Sequence, residues 1–144
     1  MYQSVLIAVD GSHNSMRAAE EAIKLDAKHY TILSVITAED SKESVLHGTG
    51  DSESDRKEEL EDIIAKFSGH HFNVLFEHGY PKEKIVEVAN HHNHDLLVIG
   101  TRGLSGLKEV VMGSVSRHVV KHSDINVLVV KLNRRFHLES PVLF

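Results

Sequence analysis

Short, uninterrupted apolar runs alternate along this chain with stretches whose apolar residues recur at helical spacing, and few folds accommodate that alternation. Val5-Leu6-Ile7-Ala8-Val9, Leu96-Leu97-Val98-Ile99 and Val127-Leu128-Val129-Val130 are apolar at every position. A strand that alternates apolar and polar residues has one face covered, whereas one that is apolar throughout has both faces covered, as in a parallel sheet between two helical layers. Tyr30 to Ile36, rich in β-branched and aromatic residues, reads as a second strand. Phe72 to Glu77 alternates enough to be a third, nearer the sheet edge.

The intervening segments carry helical signals. Ser12, Asn14 and Ser15 are N-cap candidates for a helix through about Lys28, with Ala19, Ala22, Ile23 and Leu25 inward. Ser54 to Phe67 places Leu60, Ile63, Ile64 and Phe67 at i, i+3, i+4 and i+7, and Gly69 closes it. Pro81 stands at or near a first helical position, followed by Ile85, Val86, Val88 and Ala89 facing inward. A last amphipathic helix runs from Val115 to His122. The order β-α-β-α-β-α-β-α-β predicts a parallel α/β sheet with right-handed crossovers. Thr37 to Asp55, polar and acidic with Gly48 and Gly50, reads as a long mobile or functional loop.

Ligands of such sheets bind beyond the carboxyl ends of the strands, where the strand order reverses. Asp10 ends the first strand and Gly100 the fourth, so both fall on that edge. After Gly100 come Thr101, Arg102 and Gly103, nine further residues, then Gly113-Ser114-Val115 at the start of the last helix. Glycines let backbone N–H groups approach a phosphate, and a helix start adds unpaired N–H groups at a positive dipole end. The stretch from Leu96 to Val115 therefore reads as a phosphate cradle.

Composition narrows the function classes. The chain has 144 residues, enough for one domain with a substantial core. It has no cysteine, which excludes thiolate metal or redox chemistry and fits the cytoplasm. The formal charge of −5 argues against a general nucleic-acid binder. No apolar run approaches the roughly 20 residues of a membrane helix, and the first residues lack a basic leader region. A soluble, intracellular protein is expected.

On these residues the chain resembles the universal stress proteins. The resemblance covers about residues 2 to 131 and rests on Val9-Asp10-Gly11-Ser12, Gly79-Tyr80-Pro81, and above all the G-x-x-G-nine-G-[S/T] pattern of Gly100 to Ser114. That pattern is similar to the marker of the family's ATP-binding branch. The resemblance implies a doubly wound five-stranded parallel sheet, order 3-2-1-4-5, with helices on both faces, of the adenine-nucleotide α-hydrolase-like type. It also implies a homodimer through the last strand. Carried over by position, Asp10 would contact the nucleoside end of ATP and Val35 the adenine. Gly100 and Gly103 would cradle the phosphates from one side, and Gly113, Ser114 and Val115 from the helix start. Arg102 is a further candidate for a phosphate. A magnesium ion is a candidate companion, liganded mainly by phosphate and water.

Two departures stand out. Asn126 occupies the place where the family usually has proline before the last strand, which frees an N–H. Residues 132–144 form a tail beyond the expected domain of 1–131, ending in apolar Val142-Leu143-Phe144, which either packs across a dimer edge or is an extension.

Structural readings stand beside the functional ones. Gly100 and Gly103 could form only a tight turn, Asp10 only a cap, Arg102 only a solvated loop residue; Ser12 and Ser15 are caps before they are ligands. The chain has 12 histidines. His118 and His122 have the i, i+4 spacing of a metal pair, and His91, His92 and His94 cluster before the fourth strand, but no His-Glu-x-x-His occurs. An exposed pair and a pH-responsive surface are the simpler readings.

Three function classes follow. The first is an ATP-binding regulatory module of the stress response, in which the Thr37 to Asp55 and Thr101 to Met112 segments order around nucleotide and change the surface offered to protein partners. The second is an enzyme of the same fold, a weak ATPase or self-phosphorylating protein. An ATP pyrophosphatase is disfavoured, because Asp10-Gly11-Ser12-His13-Asn14-Ser15 replaces the Ser-Gly-Gly-x-Asp-Ser loop, and no G-x-x-x-x-G-K-[S/T] is present. The third is a nucleotide-free protein interaction module, which has no need of the glycine pattern.

Overall fold

The apolar runs pair as strands because each can bury both faces only between two neighbours and two helical layers. The computed structural model describes residues 1–91, 93–101 and 112–131. Within them, β1 (Ser4–Ala8), β2 (His29–Ile36), β3 (Phe72–His78), β4 (Leu96–Gly100) and β5 (Asn126–Val130) form one sheet in the order β3-β2-β1-β4-β5. All four pairings are parallel. Central β1 sets Val5 opposite both Tyr30 and Leu96, and Ile7 opposite both Ile32 and Val98. The expected doubly wound topology is the one observed.

Alternation along β1 divides the core. Val5, Ile7 and Val9 face one layer with Ala18, Ala19 and Ala22 of α1 (His13–Ile23), and with Leu60, Ile63 and Phe67. Leu6 and Ala8 face the other with Ile85, Val88 and Ala89 of α5 (Pro81–His91) and Val119 of α6 (Ser114–His122). Pro81 opens α5, where its missing N–H is no loss. Ser12 caps α1, its side chain accepting from the Ser15 N–H.

Three expectations need correction. The segment from Thr37 to Asp55 is largely helical: α2 spans Ala38–Leu46 and α3 spans Ser52–Glu59. Thr37 and Asp40 form a complete capping box at the start of α2, and Asp51 caps α3 by accepting from the Ser54 N–H. Helix α2 buries only Ser44, so it shows no apolar stripe to read. The stretch from Ser54 to Phe67 is not one helix; it breaks at Leu60 (φ −95°, ψ 2°) into α3 and a short α4 (Glu61–Ala65). Helix α1 ends at Ile23 rather than about Lys28, and Asp26 turns the chain with φ of 52°.

Strands β3 and β5 are the sheet edges. Val127 and Val129 pack into the α5–α6 layer while Leu128 stays 36% exposed on the opposite face. Asn126, in the place of the family's proline, is the first residue of β5 and is exposed.

Candidate functional site

Strand order reverses between β1 and β4, and there the sheet opens into a cavity of about 240 Å³. Its floor is apolar, from Ala8, Leu33, Val35, Ile85 and Ile99, and its polar rim carries Asp10, Ser15, Ser114 and Ser116. Of the predicted site residues, Asp10, Val35, Gly100, Gly113, Ser114 and Val115 line this one cavity, although they come from four separate parts of the chain. Arg102 and Gly103 lie outside the described residues.

The turn after β1 holds Asp10 in a fixed pose. The Ser12 N–H donates to Asp10 Oδ1 at 2.9 Å and the Ser15 hydroxyl donates to the same oxygen at 2.6 Å. In return Ser15 Oγ accepts from the Asp10 N–H at 2.7 Å. Asp10 is thus a turn residue ahead of the Ser12 cap, but among the described residues both bonds to its carboxylate fall on Oδ1. Oδ2 is left for a donor in the cavity, which suits a sugar hydroxyl.

The opposite rim is the start of α6. Its N-cap is Gly113, and among the described residues no side chain caps its first turn. Such a helix start has N–H groups available to an anion. It is tied to the end of β4 by the Gly113 N–H and the Ser116 hydroxyl, which donate to the Thr101 carbonyl at 2.6 and 2.8 Å. Ser114 is exposed, so its hydroxyl is accessible beside these amides.

Gly100 is a glycine for a reason other than the one its motif suggests. Its backbone is not left-handed; a Cβ there would lie 2.8 Å from both Cβ and the carbonyl oxygen of Asn14. The residue lets α1 settle on β4, and it also lines the cavity itself. Leu33, Ile85 and Ser116 also belong to the wall and carry no signal of it in the sequence, whereas Ser15, a cap before it is a ligand, lies on the wall as well. A serine in the first turn of a helix gives little sign of a ligand role, and Leu33 and Ile85 face inward as any core residue does.

Asp10 is the only carboxylate on the described wall. An adenine nucleotide fits these residues: an apolar slot, a carboxylate with a spare oxygen and an uncapped helix start. A magnesium ion would have few protein ligands here. Elsewhere, the His118 and His122 rings lie 4.3 Å apart on α6, and among the described residues no group of three His, Asp or Glu side chains could hold a metal. His118 is held below its ordinary value of 6.5 by partial desolvation and by His122 and Lys82.

The fold and this cleft define a doubly wound α/β protein of the adenine-nucleotide α-hydrolase-like type. The family model described as "Universal stress protein family" matches residues 1–131, and the chain belongs to that family. It is 31% identical over 142 residues to the universal stress protein MJ0531 of Methanocaldococcus jannaschii, covering 91% of this chain and 83% of that protein. Its structure is similar to that of the hypothetical protein MJ0577, with a TM-score of 0.74, 30% identity, and coverage of 92% of this chain and 98% of the other. It also resembles a universal stress protein crystallised in complex with cAMP, with a TM-score of 0.64, 26% identity, and coverage of 90% and 97%. No helix of the described residues is long and apolar enough to cross a membrane.

Proposed function

We propose that this protein is an ATP-binding regulatory module of the stress response. The observation that carries the reading is one cavity walled by Asp10 and Val35 on one side and by the uncapped start of α6 on the other. The complex of a related universal stress protein with cAMP supports an adenine nucleotide as the ligand class.

In this reading Asp10 Oδ2 accepts from a ribose hydroxyl, Val35 packs against the adenine, and the Ser114 and Val115 amides with the Ser114 hydroxyl hold phosphate oxygens. Gly113 keeps the approach to those amides open, and Gly100 seats α1 so that the turn carrying Asp10 faces the cradle. Arg102 and Gly103 stand as further phosphate candidates from the same motif. Magnesium, where it accompanies the triphosphate, supplies charge neutralisation. Since the described wall holds one carboxylate and no second base, rapid hydrolysis is not part of the proposal. Residues 1–131 act as the nucleotide module in the cytoplasm, residues 132–144 as an appended tail, and two copies pair through β5.

A thermal scan tests the reading. A ligand that binds only the folded state raises stability by about 2.7 kcal/mol at a hundredfold excess over its Kd, so ATP with magnesium should raise the melting temperature by several degrees. GTP at the same concentration should raise it less, because the apolar slot gives no partner to a guanine's extra polar edge. An unchanged melting temperature with saturating ATP would remove the reading.

A further inference from the structure

Among the described residues Arg56, on α3, is the only buried charged side chain, at 8% exposure. A guanidinium out of water is costly unless it is paired and its donors are met. Here Nη2 pairs with Asp40 Oδ2 at 2.9 Å, and Nε lies 3.6 Å from Glu59 Oε2. Nη1 donates to Ser34 Oγ at 2.9 Å and to the Val35 carbonyl at 3.3 Å. Those last two contacts reach the carboxyl end of β2, on the face of the sheet opposite the cavity floor.

The contacts continue past Ser34. Its hydroxyl, buried, donates to the Val9 carbonyl at 2.9 Å. The Val9 N–H donates to the Leu33 carbonyl at 2.9 Å, so β1 and β2 stay joined one residue beyond β1. Asp10 follows directly. Arg56 thus sets two pieces of the cavity wall at once: the backbone from which Asp10 departs, through Ser34, and the backbone that carries the Val35 side chain, directly.

We propose that Arg56 is a positioning residue for the ligand cavity, preorganising Asp10 and Val35 through the Ser34 hydroxyl and the Val35 carbonyl. The inference rests on the nucleotide reading above for its ligand and on the hydrogen-bond chain for its geometry. The pairs with Asp40 of α2 and Glu59 of α3 hold the guanidinium among the helices and do not reach the sheet. The two bonds to β2 are what a wall-setting role requires. Preorganisation of this kind acts on affinity by sparing the ligand the cost of ordering its site.

The test uses Arg56→Met, which keeps much of the side-chain volume, and Ser34→Ala, which deletes the linking hydroxyl alone. Each is titrated with ATP and magnesium, and the backbone amide resonances are recorded without ligand. Arg56→Met should weaken ATP binding about tenfold and Ser34→Ala less. Arg56→Lys, which keeps the charge but not the fork, should fall between Arg56→Met and the wild type. In Ser34→Ala the Asp10 and Ser12 amide resonances should move while those of Val115 to Val119 on α6 stay, a pattern that general loosening of the fold does not produce.

Wild-type affinity in a folded Arg56→Met protein would overturn the proposal, as would Asp10 and Ser12 resonances unmoved in Ser34→Ala. Should Arg56→Met fail to fold, Ser34→Ala decides on both readouts. If the wild type itself binds no ATP while the Asp10 and Ser12 amides still move, the hydrogen-bond chain stands and the nucleotide reading falls.

Discussion

A methyl group added at position 100 would have to share space with the backbone of Asn14, because its carbon would sit 2.8 Å from the Asn14 carbonyl oxygen. Backbone cannot swing aside as a long side chain can, so α1 or β4 must shift. Gly100→Ala should therefore destabilise the protein by about 1–3 kcal/mol, the usual cost of overpacking, seen as a lower urea midpoint with little change in slope. A stability equal to the wild type would mean that α1 yields easily, and that this glycine is kept for its ligand after all. The residue also shows the limit of reading a motif. Gly100 lies on the cavity wall at the end of β4, yet its spacing pattern says nothing about Asn14, which lies far away in sequence. Asp10 was easier, since an acid directly after a central strand has little other place to go. Arg56 gave no signal, because a basic residue in a charged helix looks solvated until its partners are seen.

Helix α2 depends on its first turn. Burial opposes charge on Asp40, but hydrogen bonds from the Thr37 N–H and hydroxyl and the Arg56 guanidinium prevail and hold its pKa below the ordinary 3.8. A carboxyl group whose pKa is lower when folded contributes stability above the unfolded value, and loses it as pH falls through the folded one. Asp40→Asn should thus be less stable than the wild type at pH 7, and the gap should close as the pH drops below about 3.8, measured by urea unfolding at both pH values. A gap of constant size would show that the carboxylate charge is not what matters. The elements were readable where apolar periodicity was strong, in the strands and in α1, α5 and α6. Helix α2 escaped because it buries almost nothing and is specified by its cap, Thr37 to Asp40, and by the Arg56 pair. The break at Leu60 escaped because the buried apolar spacing of Leu60, Ile63 and Phe67 begins only there, and the polar run of α3 before it carries no apolar residue to show a change of axis.

At the scale of the whole molecule, the topology does what no single motif does: by crossing from β3 to β4 on the far side of β1, the chain brings Asp10, Val35 and Gly113 to one opening. That convergence could be anticipated, since five strands in this order leave one reversal and the glycine pattern follows the strand beside it. The edge β5, with Leu128 partly exposed, is the surface on which we place pairing between copies. The central claim is that the cavity takes ATP at the start of α6. Calorimetric titration of the nucleotide-stripped protein with ATP and magnesium, on the wild type and on Gly113→Val, tests it most directly. The Gly113 backbone, φ −70° and ψ 171°, is open to any residue, so valine adds a side chain at the cradle without forbidding the fold. Saturable binding by the wild type, lost in a folded Gly113→Val protein, is the expected result; no heat up to about 1 mM ATP, or equal binding by both proteins, would contradict it.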